Sequence, residues 1–167
     1  MSARRIARRI ASLAGRIDAD HAGNEVTLVV VLKGAAVFAA DLARRLTIPV
    51  RIEFVSAASY GPATQSAGTV AINGHAALDI AGRDAILIED IVDTGLTTRT
   101  LLDRLQTLGP ARLDLCALLH KPGRTVEPVA IRYKGFEIPD RFVVGYGMDY
   151  AERYRNLPDV CVLTEQA

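Results

Sequence analysis

A chain of 167 residues, half of them apolar and 23% charged, fits one compact domain and leaves little for a second. Twenty Lys and Arg against nineteen Asp and Glu give a formal charge of +1, which offers no bulk attraction to nucleic acid or to an anionic membrane. The apolar runs are of strand length, far short of a bilayer span.

The first seventeen residues carry Arg4, Arg5, Arg8, Arg9 and Arg16 and no acid, the composition of a transit peptide, yet they lack the apolar stretch of a secretory signal. Ile6, Ile10, Leu13 and Ile17 recur at helical spacing behind Ser2, a residue type suited to an N-cap. The spacing predicts an amphipathic helix over residues 1–20 with a solvated arginine face. Val26 to Leu32, apolar but for Thr27, is a strand broken by Lys33-Gly34, and Ala35 to Leu46 reads as a helix. Val50 to Val55 is the next strand, and Ala85 to Ile88 another. Thr97 to Leu108 is a helix closed by Gly109-Pro110, and Leu113 to Leu119 a strand ending at His120, Lys121 and Pro122. Strands of Val, Leu and Ile without polar alternation belong to a parallel sheet covered on both faces. The fold class is α/β, a single domain with a central, mainly parallel, twisted sheet flanked by helices. Residues 56–80 read as a mobile loop and a hairpin turning at Asn73-Gly74. After Gly123 the alternation stops, and residues 123–167 are expected to form a small C-terminal hood and tail over the sheet. Cys116 and Cys161 sit in apolar runs without metal-ligand spacing, and read as small buried hydrophobes in a reducing cytoplasm.

The most informative stretch runs from Ile86 to Thr98, ILIEDIVDTGLTT. A buried strand delivers Glu89 and Asp90, Asp93 follows, and a Thr94-Gly95-Leu96-Thr97 turn opens a helix. Ligands of open α/β sheets bind beyond the carboxyl ends of the strands, and free N–H groups at a helix start bind phosphate. Phosphate accounts for the turn but not for three carboxylates beside it, which instead suit sugar hydroxyls or Mg²⁺. Read innocently, Glu89 and Asp90 are a solvated strand end and Thr94 an N-cap. Neither a P-loop nor a dinucleotide fingerprint is present.

This stretch resembles the phosphoribosyl pyrophosphate signature of the type I phosphoribosyltransferases. Leu32-Lys33-Gly34 is similar to the family's pyrophosphate loop and Ser59-Tyr60-Gly61 to its lid, while Gly135 to Tyr150, GFEIPDRFVVGYGMDY, resembles the purine-binding segment of the hypoxanthine-guanine branch. The resemblance spans about Val26 to Val160. It implies transfer of a phosphoribosyl group to N9 of hypoxanthine or guanine, with Mg²⁺ as cofactor, by a cytoplasmic homodimer or homotetramer that needs neither nucleic acid nor membrane. By the same resemblance, Glu89 and Asp90 hold the ribose hydroxyls and Mg²⁺, and Asp93 is the general base facing purine N7. Residues from Asp93 through Thr94, Gly95 and Leu96 to Thr97 wrap the 5-phosphate. Lys33 and Gly34 meet pyrophosphate, with the peptide bond before Lys33 strained or cis, and Arg155 clamps pyrophosphate. Lys121 donates to purine O6, Phe142 stacks on the base, and the Val143 backbone pairs with its edge. Asp149 stands near a second Mg²⁺ and the purine 2-position, and Ser59 and Tyr60 belong to the lid. The chemistry fits these residue types, because breaking the C1 bond develops positive charge on the sugar and negative charge on the leaving group. Leu96 departs from the pattern, standing where some members carry lysine.

Two alternatives compete. A phosphoacceptor receiver also ends a late strand in Lys-Pro, as Lys121-Pro122 does, but it requires acids after its first strand, where this chain has Lys33-Gly34. A donor-binding regulator of the same fold would show a basic patch and could dispense with Asp93, Lys121 and Phe142, all of which are present. Taken alone, Lys33 is a loop lysine, Phe142 a core aromatic and Arg155 a surface charge.

Overall fold

A computed structural model describes residues 1–56 and 78–164. The expected hairpin turn at Asn73-Gly74 and the lid residues Ser59 and Tyr60 lie outside the described residues.

The chain opens with helix α1 (Ala3–Asp20), followed by β1 (Val26–Leu32), α2 (Ala35–Ala43) and β2 (Val50–Ser56). After the undescribed stretch come β3 (Asp84–Val92), α3 (Leu96–Gln106), β4 (Arg112–His120), a 3-10 turn at Pro122–Arg124 and β5 (Tyr133–Glu137), then the two-residue strands β6 (Val143–Val144) and β7 (Cys161–Val162). Five strands form one parallel sheet in the order β2-β1-β3-β4-β5. β1 and β3 are neighbours although the chain leaves β1 in the opposite direction, toward β2. The switch point therefore lies between their carboxyl ends, where an open sheet leaves a crevice.

Alternation along the strands divides the core between two layers. Val26, Leu28 and Val30 of β1 face α1 and α2, where they meet Ile6, Ile10, Leu13, Ile17, Phe38 and Leu42. Val29 and Val31 face the other way, toward Leu101 and Leu105 of α3. The four apolar positions read from the helical spacing of α1 are all fully buried. No helix among the described residues is long and apolar enough to cross a membrane.

The fold departs from the sequence reading in five places. β2 is an edge strand, with Ile52 and Phe54 about half exposed, so its apolar composition does not signal burial on both faces. Tyr133–Glu137 is not part of the hood: it pairs in parallel with β4 as the fifth strand of the main sheet. Its YKGFE sequence lacks the continuous Val/Ile/Leu pattern because it too lies at an edge. Ser2 occupies the N-cap position without capping through its side chain, and the Ala3 N–H donates instead to Asp159 Oδ1 at 2.7 Å. The arginine face of α1 is not simply solvated. Arg9 donates to the carbonyls of Gly135 and Lys134 (2.7 and 2.8 Å), Arg5 lies over the Phe136 ring, and Arg16 lies over Tyr133. Finally, Cys116 is buried as expected but Cys161 is exposed, because β7 pairs only with β6 and leaves its outer side open.

The hood is the antiparallel β6-β7 pair and the loop between them. It is wound tightly, with Tyr146, Ala151, Glu152 and Tyr154 in the left-handed region, a conformation that costs energy for residues bearing a Cβ and recurs at ligand-binding loops. Gly147 has φ +97° and packs against the Gly34 carbonyl so closely that a Cβ there would overlap it. That approach joins the hood to the loop after β1.

Candidate active site

Beyond the carboxyl ends of β1, β3 and β4 lies a cleft of about 350 Å³, lined on one side by Lys33, Gly34, Asp90, Asp93 and Lys121 and on the other by Phe142, Val143, Asp149 and Arg155. Nine residues separated by up to 122 positions in the chain thus converge at the switch point. Val31, Leu32, Ile91 and Met148 complete the lining.

The loop after β1 enters through a cis peptide bond between Leu32 and Lys33, as the resemblance implied. Gly34 is the residue against which the Asp90 carboxylate rests. The Lys33 ammonium reaches Glu152 of the hood at 3.1 Å, a surface pair with both side chains largely exposed.

β3 delivers two neighbouring acids with opposite outlooks, as successive strand residues must. Glu89 turns away from the cleft lining and accepts a hydrogen bond from the Thr98 hydroxyl of α3 at 3.2 Å. Burial, reinforced by the adjacent Asp90 charge and only partly opposed by Thr98, pushes its pKa up to about 8. Asp90 faces the cleft, with one oxygen held by the Ile91 N–H at 3.0 Å, and burial likewise raises its pKa. Neither acid forms an ion pair among the described residues. Asp149 is differently placed, bonded through Oδ1 to Arg155 at 2.8 Å and through Oδ2 to the Glu152 N–H at 2.9 Å. Asp90, partly buried and without an ion-pair partner, fits a hard divalent ion at the cleft, whereas the buried Glu89 faces away from it. No cluster of three or more His, Cys, Asp or Glu among the described residues forms a cage for a metal. Such an ion would therefore draw most of its oxygen shell from water and substrate, the habit of Mg²⁺ at phosphate sites.

The turn from Asp93 into α3 places Gly95 at the helix cap with φ +85°. The Thr94 carbonyl accepts the N–H groups of Val126 and Glu127, both at 2.9 Å, so the segment after β4 buttresses this turn. The first N–H groups of α3 have no partner within the helix, and no acidic side chain occupies its first turn. Thr94 to Thr97 thus carry donors of the kind an anion can use, beside and not within the cleft lining.

Lys121 is buried, 8% of its side chain exposed, and lies 3.5 Å from Asp93 Oδ2. Phe142, which composition alone would send to the core, is 53% exposed on the cleft and meets Tyr150 edge to face at 5.7 Å. Arg155 bridges Asp149 and the Gly147 carbonyl (2.8 Å) and so braces the hood loop.

Three residues with structural parts in the site were missed: Arg124, whose Nε donates to Asp93 Oδ1 at 3.1 Å, Asp140, and Glu152. A cation three residues after Lys121 across a Pro-Gly turn was the available signal for Arg124. Asp140 lay inside the Gly135–Tyr150 segment without being singled out, and nothing local marked Glu152.

Residues 2–151 match the phosphoribosyl transferase domain family. The hypoxanthine-guanine phosphoribosyltransferase of Mycobacterium avium is 45% identical over 163 residues, which cover 94% of this chain and 80% of that one. The chain belongs to the hypoxanthine-guanine branch of the phosphoribosyl transferase family. The crystal structure of a hypoxanthine-guanine phosphoribosyltransferase from Bacillus anthracis superposes with a TM-score of 0.93 at 41% identity, covering 98% of this phosphoribosyltransferase and 96% of that chain. A solved Trypanosoma cruzi hypoxanthine phosphoribosyl transferase, in work on the role of its C-terminal region in oligomeric state and activity, is 38% identical with a TM-score of 0.91, covering 98% and 89% of the two chains. The expected family and parallel-sheet fold are thereby borne out.

Proposed function

We propose that this phosphoribosyltransferase moves the 5-phosphoribosyl group of phosphoribosyl pyrophosphate to N9 of hypoxanthine or guanine, releasing pyrophosphate. The observation that carries the reading is the single cleft in which Lys33-Gly34, Asp90, Asp93, Lys121, Phe142, Asp149 and Arg155 meet. Its two sides suit the two halves of the reaction.

The donor lies along the strand ends. Thr94 to Thr97 hold the 5-phosphate on backbone N–H groups, and Asp90 faces the ribose. The Lys33-Gly34 backbone and Arg155 receive pyrophosphate, as charge-assisted donors toward a leaving anion should. A bound Mg²⁺ would neutralise charge on the leaving group, held by Asp90 with Asp149 as a further oxygen donor, whereas Glu89, turned to Thr98, would stand outside its shell.

The purine lies under the hood. Phe142 offers its exposed face for stacking, and Lys121, which has donors and no acceptor, selects a 6-oxo over a 6-amino base. In the chemical step the N9 lone pair forms the bond to C1, the C1–O bond breaks toward pyrophosphate, and the N7 proton passes to the Asp93 carboxylate. We infer a homodimer or homotetramer in a reducing cytoplasm.

Nucleotide formation by the purified chain, with the donor and hypoxanthine, guanine, xanthine or adenine offered separately and with or without chelator, tests the proposal. Metal-dependent product from 6-oxopurines and none from adenine is the expected result. No product from any base, with the donor still bound, would instead identify a donor-binding regulator of the same fold.

A further inference from the structure

Behind the cleft, four charges alternate in a ring. The Lys121 ammonium lies 3.5 Å from Asp93 Oδ2 and 3.8 Å from Asp140 Oδ1, while the Arg124 guanidinium reaches Asp93 Oδ1 through Nε at 3.1 Å and Asp140 Oδ2 through Nη1 at 3.6 Å. Each cation takes one oxygen of each carboxylate. Only Asp93 and Lys121 line the cleft, whereas Arg124 and Asp140 stand outside its lining.

We propose that Arg124 is a positioning residue for the general base: it holds Asp93 Oδ1 so that Oδ2 stays presented to the purine when Lys121 turns to the base. The inference rests on the assignment of Asp93 and Lys121 given above. Of the four contacts, the Arg124–Asp93 bond alone has good hydrogen-bond geometry, and both Lys121 contacts are longer than a well-formed bond. Lys121 thus has no well-formed bond to give up when it turns to the base, whereas Arg124 has one to Asp93. The backbone secures Arg124 in turn. Its N–H donates to the Lys121 carbonyl at 3.0 Å, and the N–H groups of Val126 and Glu127 are tied to Thr94 beside Asp93.

Without Arg124, Lys121 would be the one cation facing Asp93 among the described residues. The two would close on each other, and an entering purine would have to part them. Asp140 has the complementary part. When Asp93 receives the N7 proton, Arg124 keeps a carboxylate partner in Asp140. A guanidinium suits this place because its rigid fork spans two carboxylates, which an ammonium does less well.

Steady-state kinetics of R124Q, R124K, D93N and the R124Q/D93N double variant test the inference. R124Q should lower kcat/KM for hypoxanthine roughly 10- to 100-fold, the scale of losing a catalytic group's alignment, while KM for the donor and the thermal midpoint stay near wild type. R124K should recover part of the loss. On the D93N background R124Q should cost less than about twofold, because a residue acting through Asp93 has nothing left to position. Unchanged purine kcat/KM in R124Q, a matching rise in donor KM, or full additivity in the double variant would each overturn the proposal while leaving Asp93 as base. Near-normal turnover of D93N would instead remove the base assignment, and this inference with it. Absence of wild-type product would remove both along with the proposed reaction.

Discussion

Gly34 and Asp90, 56 positions apart, are in such close contact that a single Cβ on Gly34 would overlap the Asp90 carboxylate. The loop after β1 and an acid near the end of β3 therefore share one volume at the switch point. Gly34→Ala must push either the loop or the acid out of place. Displacement of about 1 Å at a reacting centre can cost on the order of 10² in rate, so kcat/KM for the donor should fall by at least about tenfold, with circular dichroism unchanged. Donor kinetics like those of the wild type would mean that Asp90 moves aside without consequence.

Lys121 should matter to one substrate only. Lys121→Ala removes a buried, charged donor, and a hydrogen bond of that kind is worth about 1.5–3 kcal/mol. KM for hypoxanthine should rise roughly 10- to 100-fold while KM for the donor changes less than about twofold. Equal effects on both substrates would show that the lysine supports the whole cleft and not the base.

Glu89 sets a pH dependence of stability. Its pKa is 4.5 as an ordinary side chain and about 8 when folded, raised chiefly by burial. The folded state binds more protons between those values, so this contribution to stability is fully present below the unfolded pKa and lost as pH rises through the folded one. In metal-free buffer the melting temperature should decline from about pH 5 to about pH 8, and Glu89→Gln should flatten that decline. Asp90, shifted in the same direction, leaves a residual slope. Parallel melting profiles for the two proteins would show that Glu89 ionises in the folded protein as it does in water.

Arg9 and Arg8 are adjacent in sequence and unlike in structure. Arg9 supplies two carbonyl bonds to β5, while Arg8 is exposed. Arg9→Ala should destabilise the fold by about 1.5–3 kcal/mol, and Arg8→Ala by no more than about 0.5 kcal/mol. Chemical denaturation of the two variants separates them, and equal midpoints would return both arginines to solvent.

Strand and helix identities were legible wherever a local pattern had a single cause. Val26 to Val31 is apolar but for Thr27 because both its faces are covered, and Ile6, Ile10, Leu13 and Ile17 are spaced for one buried helical face. The acids and threonines from Glu89 to Thr97 were legible too, because a strand end, a turn and a helix start are contiguous in sequence. Pairing across distance was not. β5 joins the sheet through hydrogen bonds to β4 that its edge-strand composition does not advertise, and its Lys134 and Gly135 carbonyls then capture Arg9 from the first helix. The Lys121–Asp93–Arg124–Asp140 ring draws on three separate loops. Glu89 and Asp90 look alike in sequence, and the pleat of β3 sends one to Thr98 and the other to the cleft. Covalent order alone sets which residues neighbour one another along a strand or a turn. Which charges meet, and which carboxylate is left without a cation, depends on the packing of the sheet.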